Sequence, residues 1–98
     1  MKHWVMLLAA FVLLSAHAQQ VVLPADVMRF TEGRDQCDHF RGEEPYDAER
    51  RKFLKERMRS LCTGTDAQLK ALKSKYKGKP KVLAKLAEYE PQIEAVGK

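Results

Sequence analysis

The stretch Cys37-Asp38-His39-Phe40-Arg41-Gly42-Glu43-Glu44-Pro45-Tyr46-Asp47 crowds a thiol, an imidazole, four carboxylates and a phenol into one short segment. Three chemistries draw on such groups. A structural zinc ion needs four ligands, and Cys37, His39 and Cys62 with one carboxylate would complete that number. Two residues apart on a helix, however, Cys37 and His39 point about 200° away from each other. A cysteine nucleophile needs a base within hydrogen-bond reach, a group to orient that base, and donors for an oxyanion. A chain this short leaves little room for a walled cleft, and a cysteine tied in a disulfide cannot attack. Glu43, Glu44 and Asp47 would serve as an acid and base pair only if a cleft drove their pKa values apart. Beside Pro45, at the start of a helix, they have a simpler role in capping and in compensating the helix dipole. No metal, no cofactor and no catalytic set is therefore expected.

The elements that would position these groups begin after an export signal. The chain opens MKHWVMLLAAFVLLSAHAQQ, with Lys2, an apolar run from Trp4 to Leu14, and Ala16-His17-Ala18. This is the layout of a secretory signal peptide over residues 1–18 with cleavage after Ala18. The run is shorter than the roughly 20 residues a membrane-spanning helix requires. Residues 19–98 then form one small domain, exported to the periplasm or the medium. A core of that size is marginal alone and is commonly stapled. Cys37 and Cys62 are the chain's two cysteines, and an oxidising destination makes them one disulfide. His39, the single histidine beyond the leader, reads as a half-exposed packing residue.

The apolar pattern is helical throughout the domain. Val27, Phe30, Arg34 and Cys37 recur at three and four, predicting a first helix over 26–40 that Gly33 weakens. Gly42 and Pro45 break it, and a second helix follows over 46–62 with Leu54, Met58 and Leu61 as its stripe. Gly64 ends that helix. Thr65-Asp66-Ala67-Gln68 reads as a capping box opening a third helix, which carries Leu69, Leu72 and Tyr76 and stops at Gly78. A fourth begins at Lys79-Pro80, its stripe running through Val82, Leu86, Tyr89, Ile93 and Val96, with Pro91 as a kink or break. The expected fold is an all-α bundle of three to four short helices, stapled by Cys37–Cys62.

Charge bears on partners more than on fold. The formal net charge is +5; residues 26–49 hold eight acids and three bases, whereas residues 50–85 hold thirteen bases and two acids. Lys70, Lys73 and Lys77 fall at i, i+3 and i+7 on one side of the third helix, with Lys81 and Lys85 following. Such a stripe would suit a polyanion or an acidic membrane surface as well as a solvated face. The export signal argues against nucleic acid. The format is loosely similar to that of small periplasmic proteins of bacteria, a likeness that carries no motif and assigns no residue. The expected function is non-catalytic binding to another exported protein or an envelope component. The alternative is a polyanion or acidic-membrane binder. Beside the lysines, the candidate surface includes His39, Arg41 and Tyr46, the residues of the opening stretch without a structural task.

Overall fold

A computed structural model describes residues 22–94, so the signal peptide expected over 1–18 and Val96 lie outside the described residues. Four helices follow one another: α1 (Ala25–Arg41), α2 (Ala48–Cys62), α3 (Thr65–Lys75) and α4 (Pro80–Leu86). No strand occurs among the described residues. None of these helices is long and apolar enough to cross a membrane.

Helix α1 is continuous through Gly33 and is the element against which α2 and α3 pack. Its inward stripe is Val27, Phe30, Thr31, Arg34 and Cys37, all buried. The main apolar core joins Val27 and Phe30 to Leu69 and Leu72 of α3, Val82 and Leu86 of α4, and Tyr89 beyond it. Phe30 and Tyr89 meet edge to face with centroids 5.5 Å apart. Helix α2 contributes nothing to this cluster. It has one buried apolar residue, Leu54, and is held to α1 by the disulfide between Cys37 and Cys62, with Cα atoms 5.2 Å apart. Buried apolar area, the main source of stability, is therefore concentrated in α1, α3 and α4, and the covalent staple secures the helix with least of it.

Two boundaries differ from the sequence reading. Gly64, at φ 85°, occupies the N-cap position of α3 and makes Thr65 the first helical residue. The Thr65 hydroxyl donates to the Cys62 carbonyl at 3.0 Å, so it closes the end of α2 instead of forming a capping box with Gln68. The start of α3 is served from a distance. The Glu94 carboxylate accepts from the Asp66 amide at 2.9 Å, and the Asp66 carboxylate accepts from the amides of Ile93 and Glu94 at 3.0 and 3.1 Å. Helix α4 also stops at Leu86, well before Ile93. The Tyr89 ring enters the core and its hydroxyl donates to Asp35 at 2.7 Å, while Pro91 has no amide with which to extend a helix.

Candidate functional site

The segment joining α1 to α2 is braced at several points. Asp47 is the N-cap of α2, its carboxylate accepting from the Arg50 amide at 2.7 Å. The Arg50 guanidinium reaches back to Glu43 through both Nε and Nη2, the latter at 2.6 Å. That pair holds the Glu43 carboxyl below its ordinary pKa and the Arg50 guanidinium above its own. Arg50 also covers the Phe53 ring at 4.7 Å, Phe53 meets Phe40 edge to face at 5.8 Å, and Arg57 lies 5.3 Å from the Phe40 centroid. Alternating arginine and aromatic groups thus pack the C-terminal end of α1 against the first turns of α2.

The three residues of this region that sequence left without a task have separate fates. Arg41 is exposed and ion-paired: its Nε donates to Asp38 at 2.8 Å and its Nη2 lies 3.4 Å from the Glu90 carboxylate. His39 is exposed and touches Phe40 edge to face at 5.2 Å. Tyr46 is 81 % exposed, so it is an aromatic ring presented to solvent from a braced turn. Cys37 and Cys62 are joined to each other, and neither is a free thiol. Among the described residues no group of three or more histidine, cysteine, aspartate or glutamate side chains is disposed to hold a metal ion.

The lysines divide into two places. Lys70, Lys73 and Lys77 line an open groove between α3 and the segment at Pro91 and Gln92, with Asp66, Ala67, Leu69 and Ser74 completing its lining. Lys81 and Lys85 lie apart, in a shallow recess with Leu23, Ala84 and Glu88, and Lys85 pairs with Glu88 at 3.1 Å. The stripe is interrupted because the chain turns through Tyr76–Gly78, with Gly78 at φ 90°, before α4 starts at Pro80. Lys75, on the other side of α3, binds Asp26 at 2.6 Å, and the Tyr76 hydroxyl donates to the same carboxylate at 2.6 Å. Those two hydrogen bonds outweigh partial burial and lower the Asp26 carboxyl to about 2.

Internal pairing engages acids more completely than bases. Each described aspartate has a partner: Asp26 with Lys75, Asp35 with Tyr89, Asp38 with Arg34 and Arg41, Asp47 with its cap amide, and Asp66 with the chain at Ile93 and Glu94. Partial burial pushes Asp38 upward, but the hydrogen bonds from Arg41 and Arg34 prevail and its carboxyl lies below the usual range. Lys70, Lys73 and Lys77, by contrast, have no carboxylate within 4 Å among the described residues. The same holds for Arg51, Lys52, Lys55 and Arg59, all exposed on α2. At 100° per residue these four fall within about 100° of the helix circumference, with no acid between them.

The sequence reading passed over both this sector of α2 and the burial of Arg34. The sector was legible in the run Arg50-Arg51-Lys52, had the helical angle been followed to Lys55 and Arg59. For Arg34 the signal is its register, three and four residues from Cys37 and Phe30 on the inward stripe of α1, where it is fully buried.

Fold and site together define a small helical protein, stapled by one disulfide, whose unengaged charge among the described residues is mostly cationic, Glu32, Glu44, Glu49 and Glu56 being the unengaged acids. Compared with protein-family models, curated proteins and solved structures, the chain matches none. A functional reading therefore rests on its own residues.

Proposed function

We propose that the protein is an exported binding module, its first 18 residues a signal peptide, which docks through cationic helix faces on an anionic exported protein or envelope component. The observation that carries this reading is the imbalance of engagement: the aspartates are occupied internally, while Arg51, Lys52, Lys55 and Arg59 of α2 and the lysines of the α3 groove have no carboxylate partner among the described residues. Fixed, unopposed charge steers association with an oppositely charged partner and sets its orientation. The disulfide supports the export part, since such bonds persist in oxidising compartments. The surface offers open grooves lined by lysine and small residues, which suit docking better than the enclosed, water-excluding site that catalysis draws on.

A second reading, an acidic membrane or polyanion as the surface bound, is favoured by the α2 sector, whose four exposed cations lie along one side of a helix and could face a charged plane together.

Two measurements test the proposal. The mass of the chain recovered from expressing cells should correspond to a start at Gln19 and be two hydrogens lighter than the dithiol form. A start at Met1 removes the export reading. Retention on immobilised heparin and flotation with phosphatidylglycerol vesicles then separate the partner classes. Binding to vesicles that persists near physiological salt supports the membrane reading. Elution from every anionic matrix well below that salt sinks anion docking altogether, because exposed charge pairs are screened over about 8 Å at that ionic strength.

A further inference from the structure

Resting on the docking function just proposed, we infer that the groove between α3 and Pro91–Gln92 is a binding site for an acidic peptide segment of a partner protein. One wall carries Lys70, Lys73 and Lys77, each without a carboxylate partner among the described residues. Lys70 and Lys73 stand about 4.5 Å apart along the axis of α3, and Lys77 follows in the turn just beyond its end. In an extended peptide, side chains on the same edge recur about every 7 Å, so acids at alternate positions reach two or three of these ammonium groups. The opposite wall, Pro91 and Gln92, is fixed in advance. The exchange of hydrogen bonds between Asp66 and the Ile93–Glu94 backbone, answered by Glu94 to the Asp66 amide, ties that segment across the start of α3. A wall already in place spares a ligand the entropy of ordering it.

The lining selects among anions. None of the exposed large apolar residues, Val22, Met28, Tyr46 and Phe53, lies in the groove, so an acyl chain has no deep apolar surface to occupy. No aromatic ring lines it for stacking a nucleic-acid base, and no arginine offers the two-pronged contact that favours phosphate. Its neutral polar groups are the Ser74 hydroxyl and the Gln92 amide. An amide side chain both donates and accepts, which matches the N–H and C=O of a peptide group, while Ala67 and Pro91 give small apolar contacts between the acids.

The test uses the protein as isolated from expressing cells, disulfide intact, and a capped six-residue peptide alternating glutamate and leucine. Its counterpart with glutamine for glutamate is the neutral probe. Amide chemical shifts should move at Lys70, Lys73, Ser74 and Gln92 with the acidic peptide and remain still with the neutral one. Replacing Lys70, Lys73 and Lys77 together by alanine should weaken binding at least tenfold. Replacing Arg51, Lys55 and Arg59 by alanine removes the same charge and should weaken it less than twofold. Asp66→Ala should weaken binding with every groove lysine retained, by releasing the opposite wall; thermal melts of each variant verify that it folds. Equal losses from the two triple variants overturn the groove while leaving diffuse basic docking intact. Absence of binding to any anionic probe overturns both. Tight binding of phosphatidylglycerol vesicles or heparin that depends on the groove lysines, with no peptide binding, overturns the peptide as occupant.

Discussion

The Arg34 guanidinium donates through Nη2 to the Glu90 carbonyl at 2.8 Å, joining α1 to chain fifty-six residues further on. Its Nε pairs with Asp38 at 2.9 Å, and its carbon centre lies 5.7 Å from the Tyr89 centroid. One fully buried cation thus holds the segment after α4 against the first helix. It does so with its Nη1 facing no acceptor among the described residues. Buried charge is costly to desolvate, and the ion pair offsets that cost only when its hydrogen bonds are complete.

Truncating Arg34 should accordingly cost more than replacing its bulk. Arg34→Ala leaves a cavity, an unpaired Glu90 carbonyl and a carboxylate with only Arg41 beside it, and should destabilise by about 3–5 kcal/mol. Arg34→Met keeps most of the volume and removes the orphan donor, so it should cost roughly 1 kcal/mol less or better. For a domain this small that difference separates thermal midpoints by about 4–8 °C. Equal midpoints would show that side-chain volume, not the cation, decides the site.

The disulfide should matter unequally along the chain. In the chain-entropy model, a cross-link between residues 25 apart stabilises by about 3.5 kcal/mol. The helix that depends on it most is α2, which lies outside the main apolar cluster. Replacing both Cys37 and Cys62 by serine should collapse amide-exchange protection in α2 first, with protection in α1 near Val27 and Phe30 and in α3 surviving longer. Simultaneous loss in all four helices would mean that α2 is coupled to the core more tightly than its single buried leucine implies.

What was legible in the sequence was what short-range patterning encodes. The inward positions Val27, Phe30, Leu69, Leu72, Val82 and Leu86 follow from three-and-four spacing, and the pairing of Cys37 with Cys62 follows from there being two cysteines. The start of α2 is local too, in Asp47 and Pro45. What escaped depends on distant chain. The cap of α3 comes from Glu94 instead of Gln68. The end of α4 reflects Tyr89 leaving the helix for Phe30 and Asp35. The lysines of residues 70–85 are continuous in sequence, whereas the turn at Gly78 divides Lys70, Lys73 and Lys77 from Lys81 and Lys85. Arg41, grouped with the candidate surface, is engaged by Asp38 and Glu90, the second of them a contact that no spacing rule contains.

Two glycines should respond to alanine with opposite signs. Gly33 lies inside α1, and a Cβ there meets nothing within 4 Å, so Gly33→Ala should stabilise by about 0.5–1 kcal/mol through helix propensity and a less mobile unfolded chain. Gly64 also has open space, yet its φ of +85° is a conformation that costs other residues about 1–2 kcal/mol. Gly64→Ala should destabilise by that amount. Urea titration of both variants measures the two signs, and stabilisation at Gly64 would refute the left-handed cap.

Asp26 should make the protein sensitive to acid in a defined window. Its carboxyl sits at about 2 in the folded protein against an ordinary value of 3.8, because the Lys75 ammonium and the Tyr76 hydroxyl hydrogen-bond to the ionised form. A group whose folded pKa is lowered contributes its full stability above the unfolded value and loses it as pH falls toward the folded one. The Asp26 contribution is therefore complete at pH 5 and fades between about pH 4 and pH 2. In Asp26→Asn the charge is absent at every pH. Denaturant midpoints of the native chain should exceed those of the variant by a constant margin above pH 5, and the margin should shrink toward pH 2. Asp38 and Glu43, also held below the usual range by their arginines, will keep some acid sensitivity in the variant. A margin that stays unchanged down to pH 2 would show that Asp26 acts through the shape of its hydrogen bonds, independent of ionisation.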